Sequence, residues 1–456
     1  MMEQMLEQFV EDAPIPVMTR AVFEHGMSSE RIDQLFRRHA VCQYEGKLLF
    51  SAALDVLALA VTQSRKSTCD AYRHKKDQLG VTIKSLYDKL ANTELSVSRA
   101  LVRDTANELI PVIDHLKAQR PPLLRGYHTK IIDGKHLNGT QHRLKETRTL
   151  NSSPLPGQCL VVLDPQLMLA IDAIPCEDAY TQERKLLVQV LPTVKTDDLW
   201  LADRNFCTTG FLFGINERNA YFVVRQHGST LSGKRLIGKR RRVGRSETGM
   251  VYEQRMEIDN PTTGATCTVR RITIELDKRT RDGDTEIHLL TNLPESVDAV
   301  TIAGLYRQRW TVETAFQELG QSLDAEINTL TYPDAALLAY CLALMLYNVL
   351  SVVKASLRAV HGEQADPERI SGYYLSSDLQ AVYEGMMVAV PAEHWSKRFA
   401  KTTPAKLAQF LRKCAKHVRI ESVLKTTRGP KKPPPKRTGG LREKHVSTAR
   451  LLAQRR

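Results

Sequence analysis

Two aspartates and one short polar helix segment carry the residues best suited to chemistry. Asp133 closes the run Thr129-Lys130-Ile131-Ile132 and precedes Gly134, and Asp203 closes Leu199-Trp200-Leu201-Ala202. If both runs are strands, the two carboxylates project from strand ends, where open α/β sheets collect ligands. Carboxylates that meet in a partly dry site raise each other's pKa unless a proton or cation intervenes. A divalent ion is the economical solution, and oxygen ligands without His or Cys favour magnesium or manganese over zinc. Structural roles compete with this reading. Asp-Gly after a strand is common turn chemistry, and Asp203 can cap a helix that starts near Asn205 or Phe206. Of the neighbouring acids, Asp164 reads as a turn residue, Asp172 as exposed strand, and Asp197 and Asp198 as polar residues before a strand.

The helix segment runs from Tyr306 to Leu319 and holds Arg309, Trp310 and Glu313. At 100° per residue Tyr306, Arg309, Trp310, Glu313 and Gln317 share one face, beside an apolar stripe of Leu305, Val312, Phe316 and Leu319. The stripe can pack on a sheet while the polar face meets a substrate. The plainer alternative is a surface helix with an Arg309 to Glu313 pair one turn apart, worth about 0.2 to 0.5 kcal/mol.

The surrounding elements must position these groups. Up to about residue 120, apolar residues recur at three- and four-residue steps, which predicts an all-helical N-terminal domain ending at Gln119-Arg120-Pro121-Pro122. Short strands then alternate with helices: strands near 129–132, 159–163, 167–171, 199–202 and 221–224, and helices over 177–191 and 209–218. That order predicts an α/β domain over 121–355 with a mixed sheet and crossover helices. Alternation around Ile272, Ile274 and Leu276, with turn chemistry at Asn260-Pro261 and Asp282-Gly283, marks a β-rich insertion at about 226–292. Helical periodicity returns over 303–319 and in the apolar stretch 335–353. That stretch is long enough to span a membrane, yet its four alanines and two tyrosines point to a buried core helix. Residues 356–424 read as a helical C-terminal region, and 425–456, rich in Pro, Gly and Lys, as a flexible basic tail.

With 456 residues, 42% of them hydrophobic, the chain is too large for one small module and too apolar to be disordered throughout. Its net charge of +14 makes a polyanion the leading partner. The excess is local. Residues 425–456 hold eleven Lys or Arg against Glu443, and 234–245 hold Lys234, Arg235, Lys239, Arg240, Arg241, Arg242 and Arg245 with no acid, so the rest is slightly negative. Such blocks grip phosphates, although a solvated tail has the same composition. The eight cysteines form no C-x-x-C pair and no zinc-spaced cluster. With an N-terminus that lacks an export signal, this predicts a protein of a reduced, cytoplasmic compartment.

Asp133 after a first strand, Asp203 in Ala-Asp-Arg-Asn-Phe, and Tyr306-x2-Arg309-x3-Glu313, in that order, resemble the DDE transposases of the insertion-sequence-4 family. Further points of likeness are Arg143-Leu144-Lys145-Glu146-Thr147-Arg148, Pro154-Leu155-Pro156-Gly157 and Val161-Val162-Leu163-Asp164-Pro165. The resemblance spans roughly residues 40 to 355. It implies an RNase H-like catalytic core with a β-rich insertion before the helix that bears the glutamate. It also implies cleavage at element ends by water, followed by attack of the freed 3′ hydroxyl on target DNA, with two Mg²⁺ (or Mn²⁺) ions per site. Asp133 would bridge both ions, and Asp203 and Glu313 would complete one each; two ions about 3.5 to 4 Å apart supply nucleophile, charge neutralisation and leaving-group stabilisation. Tyr306 and Arg309 would hold the phosphate beside the cut, and Trp310 would be a base platform or a core residue, with core slightly favoured. Terminal-repeat recognition would fall to the helical N-terminal domain, the tail and the cationic run at 234–242, and a homodimer would pair the two ends. The family pattern places lysine seven residues after the glutamate. Here that position is Gly320, so its phosphate contact is lost or supplied from elsewhere, such as the 234–245 cluster. A nuclease that only hydrolyses and a non-catalytic DNA-binding derivative are the rival expectations.

Overall fold

The computed structural model describes residues 2–426 except 44–45, 138–156, 179–180, 229, 232, 281–282, 328–329, 331 and 367–368. The expected basic tail beyond Thr426 and the segments 143–148 and 154–156 lie outside the described residues.

Seven helices open the chain: α1 (Met2–Asp12), α2 (Pro14–Met27), α3 (Ser29–His39), α4 (Phe50–Val61), α5 (Thr68–Leu79), α6 (Ile83–Ala91) and α7 (Leu95–Leu116). Their ends are written locally. The Ser28 and Ser67 hydroxyls accept from backbone N–H groups at the starts of α3 and α5, as N-caps do. Gly80 ends α5 at φ +61°, a left-handed value that glycine adopts without a Cβ penalty. The long helix α7 buries Leu101, Leu109, Val112 and Ile113.

The sheet begins with β1 (His128–His136), β2 (Gln158–Asp164), β3 (Leu169–Cys176), β4 (Asp198–Ala202) and β5 (Tyr221–Arg225) in the spatial order β3-β2-β1-β4-β5. β1 pairs antiparallel with β2 and β2 with β3, whereas β4 lies parallel to both β1 and β5. The helix α8 (Thr209–Asn216) makes the crossover from β4 to β5. This is the expected mixed sheet, with a crossover helix between its parallel strands.

The β-rich part follows as β6 (Arg235–Ser246), β7 (Gly249–Asp259), β8 (Thr266–Leu276) and β9 (Glu286–Thr291). It does not stand apart from the core. β9 pairs with β5, so the four strands extend one nine-stranded sheet out to β6 at its edge. The remaining helices are α9 (Ala299–Arg307), α10 (Trp310–Ser322), α11 (Pro333–His361), α12 (Gly372–Ala389), α13 (Ala392–Phe399), α14 (Pro404–Ala415) and α15 (Ile420–Val423).

Alternation along the strands sorts the core into two layers. Ile131, Leu199 and Leu201 face one side, with α7, α10 and α11; Ile132, Trp200 and Ala202 face the other, with Phe206, Phe211 and Phe222. The apolar helix α11 is the spine of the first layer, buried throughout from Ala335 to Leu357. It is long and apolar enough to cross a membrane, but the fold encloses it. Its Asn348 side chain bonds both the N–H and the C=O of Ala170 at 2.8 Å, which pairs part of the sheet edge at β3. Residues 1–424 form one compact unit in which α7 packs on both β3 and α11.

Four local expectations are corrected. Residues 183–189 and 191–193 are short 3₁₀ turns instead of a helix over 177–191; Pro192, which lacks an N–H, sits where a continuing helix would need one. The third strand starts at Leu169, later than expected, because Asp164 Oδ1 accepts from the N–H groups of Gln166 and Leu167 and extends the turn. Asp172 is buried, held by Arg99 at 2.7 Å. Asp198 is buried too and begins β4.

Candidate active site

The register of β1 and β4 creates the site. Their parallel pairing ends at Ile132↔Ala202, so Asp133 and Asp203 are the next residues along two neighbouring strands, about 4.8 Å apart in strand spacing. Both follow the alternation that places Ile131 and Leu201 on the α10 side. Asp133 is not at the end of its strand, as the sequence suggested. β1 runs on to His136 through its ladder with β2, and Gly134 continues that ladder. Gly134 also lies close to the Glu183 carboxylate, which would have to move aside for a Cβ at that position. Asp203 does end its strand. Its Oδ1 accepts from Arg204 N at 2.6 Å and caps the 3₁₀ turn 204–206, so the capping role and a functional role coexist.

The expected single helix over 303–319 is two. α9 stops at Arg307 and α10 starts at Trp310, with Gln308 and Arg309 forming a turn between them. Tyr306 therefore reaches the site from α9 and Glu313 from α10, instead of sharing a helical face. The break turns Arg309 inward. Its guanidinium donates to Asp133 Oδ2 at 3.1 Å and to Glu313 Oε1 at 2.8 Å, and the residue is only 8% exposed. Tyr306 Oη donates to Asp203 Oδ1 at 3.4 Å. Arg309 and Tyr306 thus link the three carboxylates, two through the guanidinium and one through the phenol.

The electrostatics follow from this arrangement. Burial pushes the Asp133 carboxyl up to about 6, against the pull of Arg309 and the Gly134 N–H, with repulsion from Asp203 and Glu313 adding to the rise. Burial, reinforced by Asp203, pushes the Tyr306 phenol up to about 12. Burial works against the Arg309 charge, but Tyr306, Asp133, Asp203 and Glu313 together hold its pKa above the usual value. Arg309 Nε is buried with no hydrogen-bond partner among the described residues. The guanidinium is therefore satisfied on one side only. Three hard oxygen donors that repel one another suit a divalent cation in chemistry. In geometry Arg309 holds the place between two of them, and among the described residues no three His, Cys, Asp or Glu side chains are gathered at metal-ligand spacing.

Trp310 is corrected from a core residue to an exposed one: it is 60% accessible, because the helix break places it on the outer side of the first turn of α10. Gly320 faces open space. The cationic run lies on the edge strand β6 and the residues leading to it, and neighbouring strands neutralise much of it. Arg235 pairs with Asp259 at 2.6 Å and Glu257 at 3.0 Å. Arg240 meets Glu286 at 2.8 Å, and Arg241 meets Glu253 at 3.2 Å. Lys234 donates to Gly228 O. Lys239 and Arg242 have no acidic partner among the described residues. Two acids beside the main cluster escaped sequence reasoning: Glu183, which abuts Gly134, and Glu326, which binds Lys135 at 2.9 Å. Neither stands in a spacing pattern that could have flagged it.

Residues 126–349, slightly under half of the chain, match the family model described as the transposase DDE domain. The matched span holds Asp133, Asp203, Tyr306, Arg309 and Glu313, and it supports a DDE transposase in general terms without singling out the insertion-sequence-4 family. Among solved structures, the piggyBac transposase synaptic complex with hairpin DNA, determined by cryo-EM, is similar at 12% identity, with a TM-score of 0.38 over 87% of this chain and 84% of that one. No curated protein matches the sequence.

Proposed function

We propose that this protein is a DDE transposase that cuts DNA at the ends of an insertion element and joins those ends to target DNA. The observation that carries this reading is the register of β1 and β4, which sets Asp133 beside Asp203, with Glu313 joined to Asp133 through Arg309. It falls within a segment that matches the transposase DDE domain.

Asp133, Asp203 and Glu313 would hold two Mg²⁺ ions, with Mn²⁺ as a substitute. When bound, such ions supply an activated water or 3′ hydroxyl, neutralise charge at phosphorus and stabilise the departing oxygen. The chain's own groups do the rest. Arg309 has a fork suited to a phosphate and a buried Nε with no partner, so it exchanges its carboxylates for the phosphodiester beside the cut. Tyr306 keeps its proton at neutral pH, because burial and Asp203 hold its pKa near 12, and it donates from the α9 side. Trp310, exposed at the start of α10, offers a face on which a base can stack. The paired arginines of β6 must leave their acids before they can contact DNA, so Lys239 and Arg242 are its first contacts. A homodimer holding two ends together, end recognition through the N-terminal helices, and a cytoplasmic, nucleoid-associated location complete the proposal.

Strand transfer separates this function from simple hydrolysis. A labelled duplex that carries the element's terminal repeat and a recessed 3′ hydroxyl, incubated with the protein, Mg²⁺ and plasmid, is expected to become covalently joined to the plasmid. Nicked plasmid without joined label would assign a nuclease instead.

A further inference from the structure

The strongest uncommitted feature is a folded basic face that the count of contiguous charge runs passes over. From Ala392 to Leu424 there are eight Lys or Arg against two acids, Glu393 and Glu421. The cations are spread at helical spacing. On α14 and at its C-cap, Lys406, Gln409, Lys413 and Lys416 follow one another at steps of three and four residues and are all exposed, while Leu407, Leu411 and Cys414 on the opposite side are buried. The lysines rim an open groove of about 730 Å³, floored by Phe410 and the end of α11, and none of the described residues lining it is acidic. Arg412 anchors the helix from below, donating to the carbonyls of His115 and Leu116 at the end of α7 at 3.1 and 2.7 Å. Lys413 pairs with Glu7, whereas Lys406 and Lys416 have no acidic partner among the described residues.

We propose that this face of α14 is a docking surface for the sugar-phosphate backbone of duplex DNA. The proposal rests on the transposase reading for the identity of the polyanion, and on the charge of the groove for its place. Three lysines along about 15 Å of rigid helix match about four phosphate spacings of one strand. The contrast with β6 decides between the two basic regions. There the sheet supplies an acid opposite most cations, whereas of the three lysines here only Lys413 meets an acid, Glu7, and none of the described residues lining the groove is acidic. Contacts of this kind position DNA without reading its sequence.

The test uses the full-length chain with Lys406→Gln, Lys413→Gln and Lys416→Gln combined, and measures the affinity for fluorescent duplexes of unrelated sequence across a salt series. Each lost phosphate contact removes about 0.9 from the slope of log affinity against log salt. The triple variant is therefore expected to lose two to three units of slope and at least tenfold in affinity near physiological salt, for every sequence alike. Its melting temperature should stay that of the wild type, since the replaced side chains are exposed and the one ion pair they form lies at the surface. A folded triple variant with an unchanged slope overturns this surface while leaving the transposase reading intact. A wild-type chain that shows no salt-dependent duplex binding overturns both.

Discussion

Asp133→Asn is expected to abolish metal-dependent nicking of DNA, by a factor of a thousand or more, while duplex binding stays within about twofold. The asymmetry comes from the site. Asp133 follows the last registered pair of β1 and β4, as Asp203 does, and is tied to Glu313 through Arg309. The amide keeps the side chain's shape but removes the charge that would hold a cation at the reacting phosphate. One electrostatic stabiliser of a transition state is commonly worth 10² to 10³ in rate, and the loss of a shared metal ligand removes more than one. Duplex affinity depends on cations spread over other surfaces, so it should change little. Undiminished nicking by the variant would take Asp133 out of the site.

The second large effect concerns Arg309. Removing one partner of a buried ion pair leaves the other unpaired, which costs about 3 to 5 kcal/mol for a fully buried pair. The Asp133 side chain is 19% exposed, so Arg309→Gln is expected to cost about 2 to 3 kcal/mol at pH 7.5, read as a melting temperature several degrees lower. Adding Asp133→Asn should recover most of that loss, since no buried carboxylate then lacks its cation. The pH dependence has a definite sign. The folded pKa of Asp133, about 6, lies above its ordinary value of 3.8, so the fold favours the protonated acid. Stability from this group is full below about pH 4 and is lost as the pH rises through 6. Asp133→Asn alone should therefore melt higher than the wild type at pH 7.5, by up to about 3 kcal/mol in stability, and the difference should vanish near pH 4. If Arg309→Gln melts like the wild type at both pH values, the guanidinium is not what stabilises the cluster.

Much of this arrangement was legible in the sequence because it rests on local pattern. The short runs before Asp133 and Asp203 read as strands, and the strand, helix, strand order from 199 to 224 predicts the parallel pairing of β4 with β5; the pairing of β1 with β4 that brings the two aspartates together reaches across the β2 and β3 hairpin and is not written in local pattern. Glu313 was reachable through the spacing Tyr306-x2-Arg309-x3-Glu313. The break at Gln308 and Arg309 was not, because both residues are good helix formers and the contact that accompanies the turn, Arg309 with Asp133, lies 176 positions away in sequence. Trp310 was misplaced for the same reason. The neutralised run on β6 could not be foreseen by counting: Glu257 lies opposite Arg235 and Glu253 opposite Arg241 only through the register of a hairpin. The basic face of α14 was missed in the opposite way, since its lysines are interleaved with Leu407, Leu411 and Cys414 and emerge as a stripe only at the helical period.

The most direct measurement of the central claim is anomalous diffraction from crystals of the protein soaked in Mn²⁺. The account predicts an anomalous peak coordinated by Asp133, Asp203 and Glu313, with Arg309 drawn away from Asp133 and Glu313, and the peak lost in Asp133→Asn crystals. Manganese bound only elsewhere, or a guanidinium still bridging Asp133 and Glu313 at saturating metal, would contradict it.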